Sequence, residues 1–170
     1  MFPSYLDKMI KIMDENRELS ASAPNAEIIN SKGKKINVLW KHEFQNSSII
    51  SRQKLVDSYL GISNQSVAVF PSYIYRTNKI RNVIFKFENG GRHSDSSFLM
   101  EIAKMGPIFW DKEIHFKYRK HKLGSTSNEK LHHRKRLINY FRKQVDLKIL
   151  EKNLQYYRFY CWWRWLKTID

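Results

Sequence analysis

The sequence predicts an α+β protein: a ferredoxin-like β-α-β-β-α-β domain with a long basic hairpin loop between its two middle strands, preceded by an N-terminal extension that contains a helix. Three observations carry this expectation. Residues 82–88 alternate with period two, residues 98–105 form an apolar stripe of helical period ending at Gly106-Pro107, and a dense cationic run over residues 112–136 has a glycine-serine turn at its centre. The division is expected near residue 80, with the extension over 1–80 and the domain over 81–170.

In the extension, Pro3-Ser4 is a start signal and Leu6, Met9, Ile10 and Met13 share one helical face, so residues 5–18 form an amphipathic docking helix. Asp7, Asp14, Glu15 and Glu18 argue against a cleavable organellar presequence, which is Arg-rich and poor in acids. Residues 20–35 are small and polar around Pro24 and Gly33, the composition of a linker. Ile36, Val38 and Trp40 then alternate as a strand, and Ser48 is placed to cap a helix carrying Leu55, Val56, Tyr59 and Leu60 that Gly61 ends. Residues 67–75 are apolar and aromatic but broken by Pro71, which suits an edge strand or extended arm.

From residue 81 the pattern is more regular. Val83, Phe85 and Phe87 alternate with Ile84, Lys86 and Glu88 as a half-buried strand, and Gly90-Gly91 breaks it. Ser94 or Asp95 caps a helix whose stripe is Phe98, Leu99, Ile102 and Met105. A strand from Ile108 leads into the hairpin, which returns through residues 131–141 as the third strand. Val145, Ile149, Leu150 and Leu154 give a second helix. Tyr157, Phe159, Cys161, Trp163 and Trp165, alternating with Tyr156, Arg158, Tyr160, Trp162, Arg164 and Leu166, give a last strand with Cys161 as a small core residue.

The chain has 170 residues, 31 Lys+Arg against 16 Asp+Glu, and a net charge of +15. No window approaches the roughly 18–20 apolar residues of a membrane-spanning helix. A single cysteine rules out an intrachain disulfide framework, and 14% aromatic residues argue against wholesale disorder. Such an excess of positive charge on a small protein makes a polyanion the expected partner, nucleic acid ahead of an anionic membrane surface.

The charge is uneven, net +4 over residues 1–80 and +11 over 81–170. Lys112, Lys117, Arg119, Lys120, Lys122, Lys130, Arg134, Lys135 and Arg136 face only Glu113 and Glu129 over residues 112–136, so this run alone carries +7. Solvated basic faces are common, but this run lacks an apolar stripe and its centre, Leu123-Gly124-Ser125-Thr126-Ser127-Asn128, has the composition of a loop tip. His115, His121, His132 and His133 lie in it too; their spacing matches no zinc pattern, whereas each can donate to phosphate or stack on a base. The candidate RNA-binding set is Lys112, Lys117, Arg119, Lys120, His121, Lys122, Lys130, His132, His133, Arg134, Lys135 and Arg136. Lys and Arg would neutralise closely spaced phosphates, with the arginines suited to bidentate contacts. Residues 118–130 are expected to be disordered alone and to order on assembly.

These residues resemble a known family, small-subunit ribosomal protein ten, in a divergent organellar form. Gly106-Pro107-Ile108 is similar to the family's Gly-Pro-Ile at the start of strand two, and Lys112-Glu113-Ile114 to the lysine-rich stretch after it. Lys135-Arg136-Leu137-Ile138-Asn139 is similar to its Lys-Arg-Leu-Ile-Asp on strand three, and the element order over residues 83–170 agrees. The loop departs: the family has Ser-Pro-His before a basic run, where this chain has Tyr118-Arg119-Lys120-His121-Lys122-Leu123-Gly124. The resemblance implies a structural constituent of the small-subunit head in a mitochondrial ribosome, and the Lys, Asn and Ile bias of the chain suits an A+T-rich, organelle-encoded gene. Its partners would be rRNA and the head proteins three, nine and fourteen, with no cofactor, membrane or small-molecule substrate. His121-Lys122-Leu123-Gly124 alone also resembles a motif of small-subunit protein nineteen.

Three other readings compete. Tyr160, Trp162 and Arg164 on one strand face could stack bases, although core or interface packing suits such a strand better and the basic-Gly-aromatic-Gly signature is absent. A soluble accessory subunit of an organellar membrane complex would need a basic amphipathic helix, and the first helix is too acidic. Asp111 and Glu113 could form the metal pair of a nuclease, but beside Lys112 they are better read as solvated or ion-paired carboxylates; no nucleophile elbow or phosphate-cradling loop is present.

Overall fold

The computed structural model describes residues 2–40, 46–63, 66–120 and 131–166. It is a mixed α/β structure. Its helices are α1 (Tyr5–Glu15), α2 (Arg52–Tyr59), α3 (Thr77–Ile80), α4 (Ser94–Met105), α5 (Leu131–Arg142) and α6 (Leu147–Leu166). Its strands are β1 (Ala21–Ile29), β2 (Lys35–Val38), β3 (Ser48–Ile50), β4 (Ile74–Tyr75) and β5 (Ile108–Arg119). The sheet order is β2-β1-β5-β3, with β4 beside the start of β1. The central pair β1–β5 is parallel and the remaining pairs are antiparallel.

The stretch expected to be a linker is therefore the middle of the sheet. Ser20, Ala21, Ser22 and Ala23 are fully buried, because small side chains suit a parallel strand covered on both faces. Ala21 and Ala23 join Ile108 and Trp110 in the larger core, together with Leu55, Val56, Leu99, Ile102, Leu137, Phe141, Leu150 and Leu154 from α2, α4, α5 and α6. A smaller core lies under α1, where Tyr5, Met9, Ile12 and Met13 cover Ala26 and Phe116. The docking helix thus docks on its own sheet, through a face rotated from the expected one: Leu6 and Ile10 are half-exposed. One sheet and one large core draw on both sides of residue 80, so residues 1–80 are not an appendage to a separately packed domain.

The second half departs from the expected β-α-β-β-α-β order. Residues 82–88 alternate, but no sheet edge accepts them; they form an irregular segment running into a short 3-10 turn at Phe87–Asn89, with Ile84 68% exposed. Residues 131–141 are helical rather than the third strand. The buried His133, Leu137, Tyr140 and Phe141 recur at helical spacing, and no Gly or Pro interrupts them. The last strand is likewise a helix. Asp146 Oδ1 accepts from the amides of Lys148 and Ile149, starting α6, and Leu150, Leu154 and Tyr157 form one helical stripe that runs into the residues that alternate. The side chains of residues 159–166, Cys161 and the tryptophans included, lie outside the described residues.

Other elements match more closely. α4 spans the expected stripe, and Gly106 ends it where a Cβ would stand 2.5 Å from the Glu18 carbonyl oxygen. α2 is capped by Ser51, whose Oγ accepts from the Lys54 amide, because Ser48 belongs to β3. The arm around Pro71 is a 3-10 turn at Phe70–Ser72 followed by the two-residue β4 at an edge of β1.

Candidate nucleic-acid interface

The strand that begins at Ile108 supplies the first part of the basic surface. It changes character midway. Ile108, Trp110 and Asp111 are buried, whereas Lys112, Lys117, Tyr118, Arg119 and Lys120 are exposed. The change coincides with two breaks in the β1–β5 register: Pro24 pairs with Asp111, Asn25 with Ile114 and Ala26 with Phe116, so Lys112, Glu113 and His115 are skipped by the ladder. Buried Asn25 clasps the first break. Its Nδ2 donates to the Trp40 and Lys112 carbonyls, and its Oδ1 accepts from the Trp40 and Ala26 amides. Trp110 and Phe116, which regular alternation would put on one face, consequently reach different cores.

The candidate residues separate into engaged and free side chains. Arg119 Nη1 donates to the carbonyls of Asn30 at 3.1 Å and Ser31 at 2.7 Å, pinning the β1–β2 turn. Lys117 lies 3.7 Å from Glu27 and 5.1 Å from the centre of the Phe2 ring. Arg134 donates to the Tyr157 hydroxyl at 2.6 Å and lies against that ring. Lys112, Lys120, Lys135 and Arg136 are exposed with no acidic partner among the described residues, and His132 is exposed on α5, which also carries Lys135 and Arg136. His121, Lys122 and Lys130 lie outside the described residues, as do the turn at 123–128 and most of the segment expected to order on assembly.

His133 is corrected outright: it is a buried packing residue, not an exposed phosphate donor. Its ring sits directly over Gly91, whose φ of +60° suits glycine and where a Cβ would come within 2.0 Å of Nδ1. The edge of Phe87 packs against it as well. Burial lowers its pKa first, followed by the surrounding positive potential of His132, Arg92, Arg136 and His93. Arg92 and His93 therefore belong to the same electropositive region as the start of α5. Sequence reasoning missed both, since Arg92 and His93 precede His132 by 40 and 39 residues and tertiary packing, that of His133 on Gly91 included, brings them together. The far end of β5 reaches this region too, where Tyr118, His93, Asp95 and Tyr59 line one shallow cleft.

The returning arm of the expected hairpin is thus α5, while the outgoing arm is the β5 strand as expected. Chemically the arrangement offers lysine and arginine head groups spread over a strand end and a helix face. That pattern suits phosphates along a backbone better than one small anion. No helix of the described residues is long and apolar enough to cross a membrane. No protein-family model matches the chain, and no curated protein matches its sequence.

Proposed function

We propose that the protein is a non-enzymatic, RNA-binding constituent of the small subunit of a mitochondrial ribosome, holding rRNA through exposed cations of β5 and of the exposed face of α5. The observation that carries this reading is the set of exposed cations without acidic partners among the described residues, Lys112, Lys120, Lys135 and Arg136, in a half of the chain that is net +11. Assignment to the small-subunit head, beside proteins three, nine and fourteen, rests on the sequence resemblance alone. Gly106-Pro107-Ile108 does open a strand, as in the family, but Lys135-Arg136-Leu137-Ile138-Asn139 lies on a helix. The proposal therefore stands on charge and placement and not on the ferredoxin-like topology.

Binding would be led by backbone shape, with affinity falling steeply with salt because counterion release is less favourable into a more concentrated solution. The test is titration of the full-length protein with a folded small-subunit rRNA head fragment at several salt concentrations. Tight binding with a steep negative salt slope is expected. Equal or tighter association with anionic lipid vesicles would favour the membrane-complex reading instead.

A further inference from the structure

We propose that Asp111, Glu113 and His115 of β5 form a binding site for a first-row divalent metal ion of the Zn²⁺ or Mn²⁺ kind, closed on one side by the N-terminal segment. One ligand atom from each residue lies within 4.8 Å of the other two. The convergence arises from the register breaks: Glu113 and His115 are both residues the ladder skips, and bulges of this kind re-aim side chains.

The site shows an unmet need. The backbone amides at the first break have acceptors, because Lys112 N donates to Ser47 Oγ and Glu113 N to Asp111 Oδ1. Ser47 Oγ also donates to Asp111 Oδ1, so that oxygen is fully occupied. Asp111 Oδ2 is different. It is buried without a hydrogen-bond partner, on a side chain only 6% exposed, and it points towards His115 Nε2 at 4.0 Å. A buried carboxylate oxygen without a donor is costly unless a cation approaches it.

The remaining donors are positioned for that cation. His115 Nε2 lies 3.1 Å from Glu113 Oε2, while its Nδ1 lies 3.4 Å from Ser4 Oγ, an outer partner that holds the ring with Nε2 facing the carboxylates. The Phe2 amide donates to the His115 carbonyl, and Lys8 Nζ sits 3.4 Å from Glu113 Oε2. Lys8 thus occupies the place of a positive charge that an ion would take over. One imidazole nitrogen with two carboxylate oxygens is a donor set for Zn²⁺ or Mn²⁺ and is not the all-oxygen cage of Ca²⁺. Glu113 is half-exposed, so the ion would keep at least one position open to solvent.

The experiment is calorimetric titration of chelator-treated full-length protein with Zn²⁺, with Glu113→Gln and His115→Gln run alongside and their folds checked by circular dichroism. Other histidines can bind Zn²⁺ as well, so the comparison with the variants is decisive. One equivalent is expected to bind in the wild type and to weaken at least about tenfold in each variant. Absence of stoichiometric uptake, or uptake unchanged in both variants, would overturn the site and leave His115 as an ion-pair partner of the two carboxylates. Neither result bears on RNA contacts made by Lys120, Lys135 and Arg136, which lie away from these three ligands in sequence, so the two proposals fail separately.

Discussion

The two halves of β5 show how one strand can serve both packing and charge. Before the register breaks, Ile108 and Trp110 are fully buried, with Trp110 tilted against Trp40 at 5.5 Å and donating from Nε1 to the Tyr73 hydroxyl at 2.8 Å. Beyond them the strand holds the same partner, β1, yet Lys117, Tyr118 and Arg119 are exposed. The ladder continues while its environment changes. The difference lies in the skipped residues and in the Asn25 clasp that accommodates them, and it lets a rigid strand carry cations out of a dry core.

The comparison is broken most severely from the buried half. Trp110→Ala removes the packing between the two tryptophans and one hydrogen bond to the Tyr73 hydroxyl; a loss of about 3–5 kcal/mol is expected in urea unfolding. Asn25→Ala leaves two carbonyls and two amides without their partner, and about 3 kcal/mol should be lost. If Asn25→Ala proved as stable as wild type, the clasp would not be what fixes the register.

The exposed half should respond in the opposite way. Replacing Lys120, Lys135 and Arg136 together by Ala should leave stability within about 0.5 kcal/mol per substitution, since all three are exposed and none is ion-paired among the described residues. RNA affinity should fall across all sequences, and the salt slope should flatten by about 1 for each phosphate that is no longer neutralised. Arg119→Ala is the informative control: its guanidinium holds the carbonyls of Asn30 and Ser31, so its removal should loosen the β1–β2 turn, seen as faster amide exchange there.

The smallest effect is a pH dependence. Burial and its cationic neighbours lower the His133 pKa, so as pH falls through the ordinary histidine range the unfolded chain takes up a proton that the folded protein refuses. This contribution to stability is present above that range and is lost as pH falls through it. His133→Gln should flatten the dependence. An unchanged profile in thermal melts from pH 7.5 to about 5.5 would mean that His133 titrates normally.

The sequence makes plain those elements whose signals are local. The α4 stripe, its stop at Gly106-Pro107 and the helix at residue 5 need nothing beyond neighbouring residues to be recognised. β1 is hidden because Ser20, Ala21, Ser22 and Ala23 owe their burial to what packs over them and not to hydrophobicity. The strand expected over 82–88 fails for the converse reason: alternation is present, but a strand also needs a partner edge. At the site, charge and its location are readable. Which cations are engaged is not, because Asn30, Ser31, Glu27 and Tyr157, their partners, are distant in sequence.

The central claim is tested most directly by sedimenting native extract through a sucrose gradient after a high-salt wash, following the chain by mass spectrometry. The chain is expected to stay in the small-subunit peak, where contacts with neighbouring head proteins would add to the salt-sensitive phosphate contacts. Release into the light fractions, or comigration with a membrane complex, would contradict that claim.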